Sequence, residues 1–149
     1  MTAQTSSPAG ARPAVLFVCV KNGGKSQMAA GLMRKVLADA GTPDAVMVAS
    51  AGTRPGSSVN ALSVEVLADV GVDISAQVPQ QLTERAMHEA GYVVVLGSEA
   101  QVEPPEGVTL ERWETDEPSL RGIEGRQRME LIREDIYARV QKLADRLRS

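Results

Sequence analysis

Cysteine is almost missing from this chain: Cys19 is the single one among 149 residues. No intramolecular disulfide can form, and a structural zinc site built on cysteines has no ligand set. Histidine is equally scarce, with His88 alone, and no group of His, Cys and carboxylates has metal-ligand spacing. Aromatic side chains make up only 3%, so the core must be built from Val, Leu, Ile, Met and Ala. The longest apolar stretches, near Val15 and Val93, are far too short to cross a bilayer. A net charge of -3 gives no basic surface for nucleic acid or lipid. Met1 to Pro13 is rich in Ser, Ala, Thr, Pro and Gly and matches neither a secretory signal nor a membrane span. A disordered tail over 1–13, one domain over 14–149 and a cytoplasmic location are the expectations.

What is present is an alternation of strands and helices. Ala14–Val18 is a β-branched apolar run ended by a glycine-bearing loop, the pattern of a strand buried on both faces. From Ser26 the spacing becomes helical: Ala29, Leu32, Met33, Val36 and Leu37 recur at three and four until Gly41. Val46–Ser50 reads as a second strand. Asn60 is placed to cap a helix with Val64, Leu67 and Ala68 inward, and Thr83 to cap another through Glu89. Tyr92–Leu96 is the clearest buried strand and Val108–Trp113 an edge strand. Met129, Ile132, Ile136, Val140, Leu143 and Leu147 form the docking stripe of a closing helix over 125–146. These elements predict an α/β single-domain three-layer fold, with a four-stranded, mainly parallel sheet flanked by helices.

The chemistry concentrates in Cys19-Val20-Lys21-Asn22-Gly23-Gly24-Lys25-Ser26, which links the first strand to the first helix. A helix N-terminus offers unpaired N–H groups and partial positive charge, so it holds anions. Gly23 and Gly24 allow the backbone to bend into a nest around one ligand. Lys25 adds a full charge, and Ser26 can donate a hydrogen bond to the sulfur. Each of these favours a thiolate at Cys19 over a neutral thiol. Val20 to Ser26 therefore form the predicted oxyanion-binding loop, with Cys19 as nucleophile. The spacing fits neither of the glycine-rich nucleotide loops, Gly-x4-Gly-Lys-Ser/Thr and Gly-x-Gly-x-x-Gly.

Cys19-x5-Lys25-Ser26, with Asn22 inside it and Ser50-Ala51-Gly52-Thr53 after the second strand, resembles the low-molecular-weight protein tyrosine phosphatases and the arsenate reductases sharing their fold. Cys19 to Ala30 and Leu110-Glu111-Arg112-Trp113 resemble most closely the arsenate–mycothiol transferases of actinobacteria. That resemblance implies a reaction in which arsenate sits in the loop and mycothiol, a co-substrate and not a bound cofactor, joins it as an adduct. A mycoredoxin then reduces the adduct to arsenite. Two departures separate this chain from the phosphatase pattern. Lys25 stands where the arginine is usual, exchanging a two-bond fork for a point charge. Glu117 stands directly before Pro118 where the acid is usually aspartate, and Asp116 is one residue earlier. Either carboxyl is a candidate proton donor, and either can equally be a solvated loop acid.

A thiol reductase that passes its oxidised sulfur onward needs a second cysteine. This chain has none, so reduction must draw on an external thiol, whereas a phosphatase needs only the one nucleophile. A small phosphatase, or a silent oxyanion-binding module, therefore stays open beside the transferase. Arg126, Arg128 and Arg133 read as an ion-paired, solvated helix face. Ser50 and Thr53 sit at a strand end where ligands bind in open α/β sheets. Trp113 is expected at the cleft or the core edge, and Arg54 is a weak candidate for an anionic group of a thiol.

Overall fold

The computed structural model describes residues 12–148. Most of the tail expected over 1–13 therefore lies outside the described residues. Its last two positions do make contacts: Arg12 donates to the Asp44 carbonyl, and the Pro13 carbonyl accepts from the Met47 amide at 2.9 Å.

Four strands, β1 (Ala14–Cys19), β2 (Met47–Gly52), β3 (Tyr92–Leu96) and β4 (Thr109–Trp113), form one sheet in the order β2-β1-β3-β4. Every neighbouring pair is parallel, which sharpens the expected "mainly parallel". Successive side chains of a strand point to opposite faces, and β1 feeds both. Val15 and Phe17 enter a core with α1 (Lys25–Asp39), α2 (Ala61–Ala68) and α4 (Gly125–Arg148). Leu16 and Val18 enter a smaller core with Met87 of α3 (Glu84–Ala90). Three layers result, with three helices on one face and one on the other.

The predicted caps are present: the Asn60 side chain accepts from the Ser63 amide, and that of Thr83 from the Ala86 amide. The stripe of α4 is buried from Met129 through Leu143, and the helix runs two residues past the expected 146. Two expectations need correction. The second strand is shifted to Met47–Gly52, because its register on β1 continues until Gly52 stands opposite Cys19. In α2 the inward residues are Ser63, Val66 and Leu67, whereas Ala68 is exposed. A three-to-four step from Ser63 reaches 66 and 67 and passes Ala68 by. Among the described residues no helix is long and apolar enough to cross a membrane.

Since β1 and β3 are adjacent and the chain leaves β1 first toward β2, their C-terminal ends flank a topological switch point. Ligands of open α/β sheets bind there. Cys19 and Gly97 stand at those two ends.

Candidate active site

The loop from Cys19 to Lys25 is held from outside by the segment after β2. Amides of Thr53, Arg54, Gly56 and Asn60 donate to the carbonyls of Cys19, Val20, Lys21 and Gly23, at 3.1, 2.8, 3.0 and 2.6 Å. With those carbonyls engaged outward, the loop's own N–H groups are left for its concave side, as an anion nest requires. Gly52 makes this closeness possible. A Cβ there would lie 2.6 Å from the Val20 carbonyl oxygen and 3.0 Å from Asn22. The Ser-Ala-Gly-Thr run is thus a structural partner of the loop, acting through Gly52 and the Thr53 backbone.

Asn22 is the loop's inner strut. It is fully buried and is the one described non-glycine residue with positive φ, at 54°. Its amide nitrogen donates to Ser26 Oγ at 2.7 Å, and its Oδ1 accepts from Gln27 Nε2 (3.2 Å) and the Gln80 amide (2.9 Å). Ser26 Oγ lies 2.9 Å from Cys19 Sγ. Because Asn22 already donates to that oxygen, the Ser26 hydroxyl hydrogen is left to point at the sulfur. The expected Ser26–Cys19 contact is therefore present, and Asn22 orients it. Left-handed backbone, expected of the glycine pair, falls on Asn22; neither Gly23 nor Gly24 has positive φ. An asparagine tolerates that conformation better than most side chains.

Lys25 opens α1, and its ammonium approaches Gly97, where an added Cβ would lie 3.9 Å from Nζ. It also lies 3.7 Å from Glu117. Cys19, Lys21, Lys25, Gly97 and Thr115 line one cleft of about 670 Å³, together with Glu117 and Arg128. The Thr115 hydroxyl oxygen is buried there with no hydrogen-bond partner. Arg112 ties the far wall together by donating to the carbonyls of Gly97 and Ala100.

Of the two candidate acids, only Glu117 reaches this cleft. Arg128 holds it with two bonds of 2.8 and 3.0 Å, and Ser119 adds a third. The Arg128 guanidinium, with help from Ser119 and Lys25, brings its carboxyl from the usual 4.5 to about 2. Such a group is ionised at neutral pH and has no proton to give. Asp116 is turned toward Arg121, which makes two bonds to it and holds its carboxyl below the ordinary range. The expectation that one of these acids protonates a leaving oxygen therefore does not fit the geometry. Both are ion-pair partners.

Arg128 is the cleft residue that sequence reasoning missed. It was grouped with Arg126 and Arg133, yet Arg126 pairs on the surface with Glu65, Asp69 and Glu130, and Arg133 donates to the Val66 carbonyl. Helical spacing places 128 beside the buried Met129 but cannot say that the face meets Glu117. His88 lies exposed in the last turn of α3. Trp113 is core: it is buried, tilts against Phe17 at 5.8 Å and donates to Glu111. Arg54 lies in a shallow depression with Thr53 and Glu99, beside the cleft.

Residues 14–149 match the family model for low molecular weight phosphotyrosine protein phosphatase. A putative arsenate reductase of Halobacterium salinarum is 32% identical over 129 residues, 87% of this chain and 89% of its own. Among solved structures, a thioredoxin-dependent arsenate reductase of Corynebacterium glutamicum superposes with a TM-score of 0.71 at 30% identity. The match covers 91% of this chain but only 61% of that longer one. A tyrosine phosphatase of Erwinia amylovora shares the fold, with a TM-score of 0.75 at 19% identity over 93% and 95% of the two chains. The chain belongs to the low molecular weight phosphotyrosine protein phosphatase family.

Proposed function

We propose that this protein is an arsenate reductase of the transferase type, which joins arsenate to an external low-molecular-weight thiol, mycothiol, for reduction by a separate mycoredoxin. The single observation that carries this reading is a nucleophile without a proton donor: Cys19 faces the oxyanion loop while Glu117 is locked as a carboxylate on Arg128 and Lys25. A phosphomonoester with a poor leaving group needs an acid at that place. Arsenate carries its own proton and leaves water behind. Its curated relative in Halobacterium salinarum supports arsenate as the substrate.

In this reading Cys19 Sγ attacks arsenic of HAsO4 2−, its thiol proton joins the departing hydroxide, and water leaves. Mycothiol (RSH) then attacks arsenic, breaking the S–As bond, so that Cys19 recovers a proton and RS–AsO3 2− departs. Arsenic is still As(V) at that stage. A thiol of mycoredoxin attacks the sulfur of the adduct, forming a mixed disulfide and releasing arsenite, As(III), so the two electrons come from the external thiols. The single cysteine of the chain requires this outside source.

The test is a coupled assay with arsenate, mycothiol, mycoredoxin and its NADPH-dependent reductase. NADPH consumption that depends on both arsenate and mycothiol, and that Cys19→Ser abolishes, supports the proposal. Turnover with thioredoxin in place of the mycothiol system would assign the electrons elsewhere. Brisk hydrolysis of p-nitrophenyl phosphate without arsenate-dependent turnover would make the protein a phosphatase. Phosphate binding with neither activity would leave an oxyanion-binding module.

A further inference from the structure

A second cavity, of about 510 Å³, adjoins the Cys19 cleft on the other side of the loop. The two share Lys21, Gly24, Lys25 and Arg128, so they meet along the loop's rim. Its volume is that of an ordinary small-molecule site. Neither Cys19 nor any carboxylate lines it, whereas three glutamates line the Cys19 cleft.

Gly23 and Gly24 form part of its wall. Since neither uses a left-handed backbone, their lack of a side chain serves another purpose: space. At Gly24 a Cβ would have only Ser63 Oγ within 4 Å, at 3.8 Å, so any larger side chain there would extend into this cavity. Opposite the glycines stand Ser58, Asn60 and Ser63, and the floor is Met129 and Ile132 of α4. Hydroxyl and amide groups over an apolar floor suit a body rich in hydroxyls and amides. The cationic rim of Lys21, Lys25 and Arg128 disfavours a positively charged one.

We infer that this cavity holds the non-reacting body of the thiol co-substrate, a low-molecular-weight thiol carrying hydroxyl and amide groups and no net positive charge, while its sulfur crosses the rim to the oxyanion at Cys19. The inference rests on the transferase reading for the identity of its ligand, and on the cavity for its place. Oxyanion and thiol body then occupy two compartments, divided by the Lys25–Arg128 side of the loop.

Two substitutions at exposed wall positions, Ser58→Trp and Ala61→Phe, narrow the cavity without touching the Cys19 cleft. Three quantities are compared with wild type: KM for mycothiol, KM for 2-mercaptoethanol, which has almost no body, and the Kd of inorganic phosphate. The expected result is a rise of about tenfold or more in the mycothiol KM, equivalent to about 1.4 kcal/mol, with the other two within twofold. An unchanged mycothiol KM overturns the inference, and so does a parallel change in all three, which would mean that the loop itself was disturbed. If wild type turns over arsenate with no thiol, the transferase reading fails separately. The cavity is then probed by titration with S-methyl mycothiol, which cannot react. Saturable binding lost in Ser58→Trp supports the inference, and absence of binding overturns it.

Discussion

The two walls of the Cys19 cleft are built in opposite ways. On one side, the Cys19–Lys25 loop is a buried, internally bonded object: Asn22, Ser26 and Gln27 are essentially inaccessible and bond to one another. On the other, the segment from Glu114 to Arg121 is half-exposed and held by ion pairs to arginines, with Leu120 protruding at 87% exposure. The first wall is rigid because any loosening leaves a buried polar group without a partner. The second is tied by charges in contact with water, where each pair contributes little. The permanent cradle for the anion and the adjustable wall thus have different physical origins, and mutations separate them.

The largest effect is expected from Asn22→Ala. It removes three hydrogen bonds at a fully buried position and puts alanine at φ 54°. A loss of about 2–4 kcal/mol in unfolding free energy is expected, read from the urea midpoint, together with loss of phosphate binding. A cost below about 1 kcal/mol would mean that the loop is not held from within.

An intermediate effect is expected from Arg128→Met, which leaves Glu117 without its two-bond partner. Phosphate affinity should fall several-fold, because the freed carboxylate remains beside Lys25 and competes with the ligand. Arg128→Lys should recover only part of it. If Arg128→Met binds phosphate as wild type does, the second wall has no part in anion binding.

Glu117→Gln should be the mildest, with arsenate turnover within about fivefold of wild type and no shift in the pH profile. A general acid would show a loss of roughly 10²–10⁴-fold, and that outcome would restore the protonated role. The same variant isolates an acid-stability effect. A carboxyl lowered from 4.5 to about 2 in the fold stabilises the native state above its unfolded value, and this contribution disappears as pH falls through the folded one. Between about pH 4.5 and 2, wild type should therefore lose stability more steeply than Glu117→Gln, as followed by thermal melting.

The same contrast explains what was legible. The strands and long helices follow from hydrophobic period alone, and Cys19, Lys25 and Ser26 from one short strand–loop–helix run. A contiguous run keeps its geometry wherever the chain folds, so residue spacing carries it. Asn22 was visible as a loop member, yet its partner, the Gln80 amide, is 58 positions away and has no sequence signature. Arg128 was misread as surface charge for the same reason: its contact with Glu117 depends on how α4 lies across the sheet. Ala68 was misplaced because an eight-residue helix offers too few apolar positions to set its phase.

The sequence by itself determined the parallel α/β layering, the oxyanion loop with its lone nucleophile, and the dependence of any reduction on an outside thiol, since each rests on local spacing or on a residue count. Only the tertiary structure decided that Glu117 is an ion-pair partner rather than an acid, that Arg128 enters the cleft, and that Gly23 and Gly24 border a second cavity. These outcomes depend on distances between segments far apart in the chain. Such distances are set by how the helices pack on the sheet, which no local pattern encodes.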